Sequence, residues 1–153
     1  MRKILFLDID GVLNSKETVT RSSRCKSIIG IDPYLVSIFN RIIFATDAEI
    51  VLSSTWRKAK ITRDEVRRRV MDFIDVTPVI NDKYAVRGDE VEAWLEKNIG
   101  KFYHSTREEK NLKYAILDDD SDFYHWQPLF KSTWEKGITE DIAKKVIKHL
   151  NSK

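Results

Sequence analysis

The stretch Ile4-Leu5-Phe6-Leu7-Asp8-Ile9-Asp10-Gly11-Val12-Leu13-Asn14 decides the fold. Ile4 to Leu7 are apolar without a polar break, which fits a strand buried on both faces, as in a parallel sheet covered by helices. The run ends in two carboxylates with one residue between them, then glycine. In open α/β sheets ligands bind at the carboxyl ends of the strands, so Asp8 and Asp10 belong at a mouth and not in the core. Unpaired buried carboxylates are costly, and a cation is their natural partner. Mg2+ suits them best, being hard and selective for carboxylate and carbonyl oxygens.

The next segments repeat the pattern. Asp32-Pro33 opens a helix, with Asp as cap and Pro tolerated at the first helical position. Leu35, Val36, Phe39, Ile42 and Ile43 then follow at helical spacing. After a polar turn, Thr46-Asp47-Ala48, a second apolar strand Glu49-Ile50-Val51-Leu52 ends in Ser53-Ser54-Thr55-Trp56-Arg57. A helix between two such strands reads as a right-handed β-α-β unit with parallel strands. Lys113-Tyr114-Ala115-Ile116-Leu117 is another apolar strand, ending in Asp118-Asp119-Asp120-Ser121-Asp122. Four carboxylates within five residues repel one another unless protonated or cation-bound. The sequence therefore predicts an α/β fold of Rossmann type, with a mostly parallel sheet, helices on both faces, and polar chemistry at three strand ends.

Elsewhere the signals are simpler. Ser15 to Lys26 is polar and lacks periodicity, so a loop or small hairpin is expected near the mouth, with Asn14, Arg21 and Arg24 as candidate substrate contacts. Thr62-Arg63-Asp64-Glu65 has the form of a capping box, followed by Val66, Val70, Met71, Phe73 and Ile74 as an apolar side. Arg63, Arg67, Arg68 and Arg69 make that helix basic. A solvated face is the simpler reading; attraction to a polynucleotide backbone is the other. Val76 to Ile80, interrupted by Pro78, reads as an edge strand or a loop. Asp89 with Glu92 suggests another cap, ahead of Val91, Trp94 and Leu95. Leu129 to Thr133 suggests a last strand. Thr139 is expected to cap a terminal helix with Ile142, Val146, Ile147 and Leu150 buried. His104, His125 and His149 have no metal-ligand spacing.

The chain has 153 residues, 42% of them hydrophobic, which predicts one domain over residues 1–153 with a substantial core. The single cysteine, Cys25, excludes an intrachain disulfide framework and a cysteine-rich zinc site. No stretch approaches a membrane span. The basic, then apolar start is too short for a signal peptide and is interrupted by Asp8 and Asp10, so a cytoplasmic protein is expected. A net charge of +3 permits a phosphate-rich or nucleic-acid partner without requiring one.

Asp8-Ile9-Asp10-Gly11-Val12 resembles the first motif of the haloacid dehalogenase-like (HAD) phosphohydrolases. In that family the first Asp is a nucleophile; the second is a general acid/base that gives its backbone carbonyl to Mg2+. The hydroxyl run resembles the second motif, whose Ser or Thr hydrogen-bonds the phosphoryl group. Ser53 fits best, and Ser54 takes its place if the strand runs one residue longer. Period-two alternation turns the two side chains opposite ways, so only one is expected to reach phosphate. Arg57 is a candidate bidentate phosphate contact, with a surface salt bridge as the alternative. Trp56 is expected either to pack or to stack on a base. The third-motif cation falls, by order and context, on Arg87, with Lys83 as runner-up. The acidic run resembles the fourth motif, which completes the Mg2+ site, with Asp119 first and Asp118 next. Asp120 and Asp122 are supporting or exposed.

The short intervals between motifs leave no room for a large cap domain, which implies an open site suited to a bulky substrate. Together with Arg-Gly-Asp-Glu-Val-Glu-Ala-Trp-Leu at residues 87–95, the motifs resemble the small HAD domains of RNA-repair-associated proteins. The resemblance implies a Mg2+-dependent phosphomonoesterase using an aspartyl-phosphate, with phosphorylated RNA or DNA ends as candidate substrates. A small-molecule or nucleotide phosphatase would use the same residues. A non-catalytic nucleic-acid-binding or regulatory module is the third reading, against which every motif carboxylate is present. No membrane partner is implied, and protein partners are not specified.

Overall fold

A computed structural model describes residues 1–18, 30–99 and 111–152. The sheet strands are β1 (Arg2–Leu7), β2 (Glu49–Leu52), β3 (Asp75–Val76), β4 (Leu112–Asp118) and β5 (Leu129–Lys131). The helices are α1 (Pro33–Thr46), α2 (Lys60–Arg69), α3 (Arg87–Ile99) and α4 (Glu140–Asn151), with a 3-10 turn at Thr55–Lys58. The five strands lie in the order β3-β2-β1-β4-β5, and every pairing is parallel. This is the Rossmann-like α/β arrangement expected, with the Asp8 strand in the middle.

The central position explains why β1 carries no polar break. Leu5 and Leu7 face one layer, with Leu35, Phe39 and Ile42 of α1 and Val146 and Leu150 of α4. Ile4 and Phe6 face the other, with Val91, Trp94 and Leu95 of α3. Phe6 meets the Trp94 ring edge-on at 5.4 Å, a geometry worth roughly 0.5–1.5 kcal/mol beyond burial. The two-sided cover is what fixes the strand's direction and depth, and so delivers Asp8 to the end of the core.

Local signals mostly hold. Asp32 caps α1 by accepting from the Tyr34 N–H at 3.0 Å, with Pro33 at the first helical position. Thr139 caps α4 through the Ile142 N–H. α2 departs from expectation: it starts at Lys60, before Thr62, and its N-cap Ala59 offers no side-chain bond. Thr62 lies inside the helix, and its hydroxyl donates to the carbonyls of Trp56 and Ala59. The helix ends at Arg69, leaving Met71 and Ile74 beyond it, both exposed. The capping partner in α3 is also different. Asp89 accepts from the Val86 N–H at 2.9 Å, whereas Glu92 accepts from the Gln127 amide. Pro78 falls outside the edge strand β3, which is only two residues long. Among the described residues no cap domain stands between the motifs, and no helix is long and apolar enough to cross a membrane.

Candidate active site

The parallel ladder continues one residue past each central strand. Asp8 N–H donates to the Leu117 carbonyl, Ser53 to Leu7, and Thr77 to Leu52, at 2.9–3.0 Å. Asp118 is paired with Lys131 of β5. The apolar runs therefore stop in register, and Thr77, Ser53, Asp8, Asp118 and Lys131 follow one another across the sheet's carboxyl edge.

After Asp8 the chain turns back sharply. Gly11 has φ +76°, and a Cβ there would meet Asp119 Oδ2 at 2.2 Å. Glycine is needed both for the left-handed backbone and for the space that Asp119 fills. Asn14, buried, clamps the turn: its Oδ1 accepts from Gly11 N–H at 2.9 Å, and its Nδ2 donates to Asp10 Oδ1 at 2.8 Å and to the Gly30 carbonyl at 2.9 Å. Ser132 Oγ donates to the Gly11 carbonyl at 2.6 Å, tying the turn to the end of β5. Asp10 itself is exposed at the mouth.

Carboxylate oxygens of Asp8, Asp118 and Asp119 all lie within 4.8 Å of one another. Asp8 and Asp118 are buried. Burial, followed by the neighbouring Asp118 charge, pushes the Asp8 carboxyl from 3.8 up to about 7. Burial also raises Asp118 and Asp119. Arg87 opposes the rise. Its Nη1 is 2.5 Å from Asp118 Oδ2 and 3.6 Å from Asp8 Oδ1. Burial would lower the Arg87 guanidinium, but Asp118 and Asp8 outweigh it and raise it.

Arg87 reaches the carboxylates because the loop after β4 wraps the start of α3. Gly88 N–H donates to the Asp122 carbonyl at 3.0 Å, Arg87 N–H to Asp122 Oδ2 at 3.3 Å, and Gln127 Nε2 to the Gly88 carbonyl at 3.0 Å. Lys83, the alternative cation, lies instead over the Tyr84 ring, its Nζ 4.6 Å from the centroid. Asp120 helps shape the acidic loop through its backbone N–H, which donates to Asp118 Oδ1 at 2.9 Å.

The two serines differ in their partners. Ser53 Oγ is buried and has no hydrogen-bond partner among the described residues. The Ser54 hydroxyl acts on Asp8, favouring its charged form, and also accepts from the Trp56 N–H at 3.3 Å. Both sit at the mouth: Ser53 offers an unspent hydroxyl, and Ser54 a bond to the carboxylate.

Two residues expected at the substrate, Arg57 and Asn14, are engaged within the protein. Arg57 is not at the surface and has no N–H to spare. Its guanidinium donates to the carbonyls of Thr77, Ser53, Ser54 and Pro78 and to Glu90 Oε2, at 2.7–3.2 Å. These use all five donors of the group. Arg57 fastens the ends of β2 and β3 to α3. Asn14 is likewise spent on Gly11, Asp10 and Gly30 and acts on the turn. Arg21 and Arg24 lie outside the described residues. Trp56 was legible only as an aromatic near the mouth; its indole Nε1–H donates to Asp10 Oδ2 at 3.0 Å. No sequence spacing marks that contact, because the partners are 46 residues apart.

The donor set is all oxygen, clustered, crowded with negative charge and only partly offset by one guanidinium. It fits a hard divalent cation such as Mg2+. A parallel α/β sheet with an Asp-x-Asp-Gly turn on its central strand and an acidic pair on the next defines a HAD-like domain. The chain belongs to the family described as the HAD domain in Swiss Army Knife RNA repair proteins, which it matches over residues 4–143. No curated protein and no solved structure gave a significant match.

Proposed function

We propose that the protein is a Mg2+-dependent phosphomonoesterase acting through an aspartyl-phosphate, with phosphorylated nucleic-acid ends as its substrate. The observation that carries the chemistry is the meeting of Asp8, Asp118 and Asp119 with Arg87 at the ends of adjacent strands. Nucleophile, metal-binding oxygens and a neutralising cation converge on one point.

Asp8 attacks phosphorus, forming the P–Oδ bond as the bond to the leaving oxygen breaks. Asp10 gives that oxygen its proton, then takes a proton from the water that attacks the phosphoryl group and frees Asp8. Arg87 and a serine hydroxyl hold the nonbridging oxygens. Ser53 fits that role because its Oγ is unspent; Ser54 is the alternative because it adjoins Asp8. Asp8, Asp119, Asp118 and the Asp10 carbonyl would hold Mg2+, which screens the repulsion between anionic nucleophile and anionic phosphate.

The nucleic-acid reading rests on the RNA-repair association of the family and on the exposed position of Asp10 at a mouth with no cap domain among the described residues. A small phosphate ester as substrate is favoured by a different observation. The cations of the basic helix α2 are mostly tied to carboxylates, although the helix keeps a net positive charge: Arg67 pairs with Asp64 and with Asp72 beyond the helix, Arg68 and Arg69 share Glu65, and Lys60 pairs with Asp64. It is not a bare cationic stripe. Phosphate release should be measured with and without Mg2+ from 3′- and 5′-phosphorylated oligonucleotides, free nucleotides and an aryl phosphate. Preference for one oligonucleotide end supports end processing; activity confined to the small substrates moves the function to metabolite dephosphorylation. Silence on all of them speaks for a binding module.

A further inference from the structure

Asp10 is exposed, yet both its carboxylate oxygens are held. Asn14 Nδ2 donates to Oδ1 at 2.8 Å and Trp56 Nε1 donates to Oδ2 at 3.0 Å. The two donors approach different oxygens and so fix the plane of the carboxyl group. An aspartate offers about four lone-pair sites; one donor on each oxygen leaves roughly one site on each free for a proton or a leaving group.

Trp56 is itself anchored. Its N–H donates to Ser54 Oγ at 3.3 Å, and its carbonyl accepts from Thr62 Oγ1 at 2.5 Å. The half-buried ring packs against the core. Gly30 admits it closely, since a Cβ there would be 2.9 Å from Trp56 Cη2. The Gly30 carbonyl also receives Asn14 Nδ2. Asn14 and Trp56 thus grip Asp10 while both lean on Gly30. Packing alone requires only the ring; it does not require the indole N–H to point at a carboxylate.

We propose that Trp56 is a positioning residue for Asp10, its indole N–H holding the carboxyl group in the orientation from which it serves the leaving oxygen. The inference rests on the phosphomonoesterase reading above and adds a residue to it. Hydrolysis of the aspartyl-phosphate uses Asp10 as base whatever the substrate. In the first step, phosphoryl transfer to Asp8, which kcat/KM reports, a side chain acting through the acid matters only where the leaving group needs a proton. Loss of the N–H therefore affects esters of poorly leaving alkoxides and spares those of acidic phenols.

The test compares wild type with Trp56→Phe on a phosphorylated oligonucleotide and on an aryl phosphate of an acidic phenol. The variant should lose kcat/KM on the oligonucleotide by roughly tenfold or more and keep kcat/KM within about twofold on the aryl ester. A benzothienyl analogue at position 56, which keeps the ring shape and lacks the N–H, should behave alike even if Phe packs poorly. Equal loss of kcat/KM on both substrates in both variants would overturn the proposal, because it would mark a merely structural role. The contact is read independently of activity from the Trp56 indole Nε1–H resonance, identified by its absence in Trp56→Phe. Asp10→Ala should shift it and hasten its exchange with solvent; an unmoved resonance overturns the proposal. A wild type inactive on every phosphomonoester, with the resonance shifting as expected, defeats the phosphatase reading and the catalytic role built on it, while a failed contact shows only in the resonance.

Discussion

Gly11 and Asp119 occupy space that allows no side chain on the former: a Cβ on Gly11 would lie 2.2 Å from Asp119 Oδ2 and 2.8 Å from its Cβ. The first acidic motif and the last are locked together at this point. Gly11→Ala must push Asp119 away and strain a left-handed backbone, at a cost of roughly 1–3 kcal/mol. The Mg2+ concentration for half-maximal activity should rise by about tenfold or more. Metal titration of activity, alongside a melting curve, separates the two effects; an unchanged metal requirement would count against Asp119 as a ligand.

Replacing Asp8 by Asn removes the attacking oxygen and one charge from a crowded cluster. Turnover should fall by at least about a thousandfold. The metal-free protein should melt higher at neutral pH, because burial and Asp118 disfavour the Asp8 charge. A gain on the order of 1 kcal/mol corresponds to roughly 2–4 °C at this chain length. Lower melting than wild type would show that the carboxylate is net stabilising.

The same crowding sets a pH dependence. Asp8 rises from 3.8 to about 7 in the folded protein, and Asp118 and Asp119 rise as well. Between pH 4 and pH 7 the folded state therefore holds more protons at Asp8 than the unfolded chain. Its contribution is most favourable at acid pH and is lost as pH rises through that window. Mg2+ binds the charged forms, so its stabilising effect should be larger at pH 8 than at pH 5, on the order of tenfold in apparent affinity or more. Melting curves with and without Mg2+ at the two pH values check this.

Arg57 should matter for the fold. Arg57→Ala strands Glu90 and four carbonyl groups, a loss of about 3–5 kcal/mol. Urea unfolding should show that loss, and activity per folded molecule should fall far less than in Asp8→Asn. Arg87→Ala should do the reverse. It removes the cation beside Asp8 and Asp118 and should lower kcat by roughly a hundredfold with a modest effect on stability.

What was legible in the sequence is what the backbone repeats. The unbroken run from Ile4 to Leu7 marks a strand covered on both faces, and Asp8, Ser53 and Asp118 stand where such runs stop. Register then assembles them without further information. The roles of Arg57, Asn14 and Trp56 were not legible, because each depends on partners brought close by folding. A buried Arg that satisfies four carbonyls and a glutamate has the same local sequence as one that binds phosphate. Trp56 reads as packing or stacking until Asp10 is seen beside its N–H. Thr62 carries a capping pattern, yet the helix had already begun at Lys60, and tertiary bonds to the Trp56 carbonyl claimed its hydroxyl.

The most direct measurement is acid quenching of the Mg2+-loaded protein during turnover of an aryl phosphate, followed by peptide mass spectrometry. A phosphoryl group should appear on Asp8, accumulate in Asp10→Asn, where its hydrolysis lacks the base, and be absent from Asp8→Asn. Sustained turnover by Asp8→Asn, or a phosphoryl group on another residue, would contradict nucleophilic catalysis by Asp8.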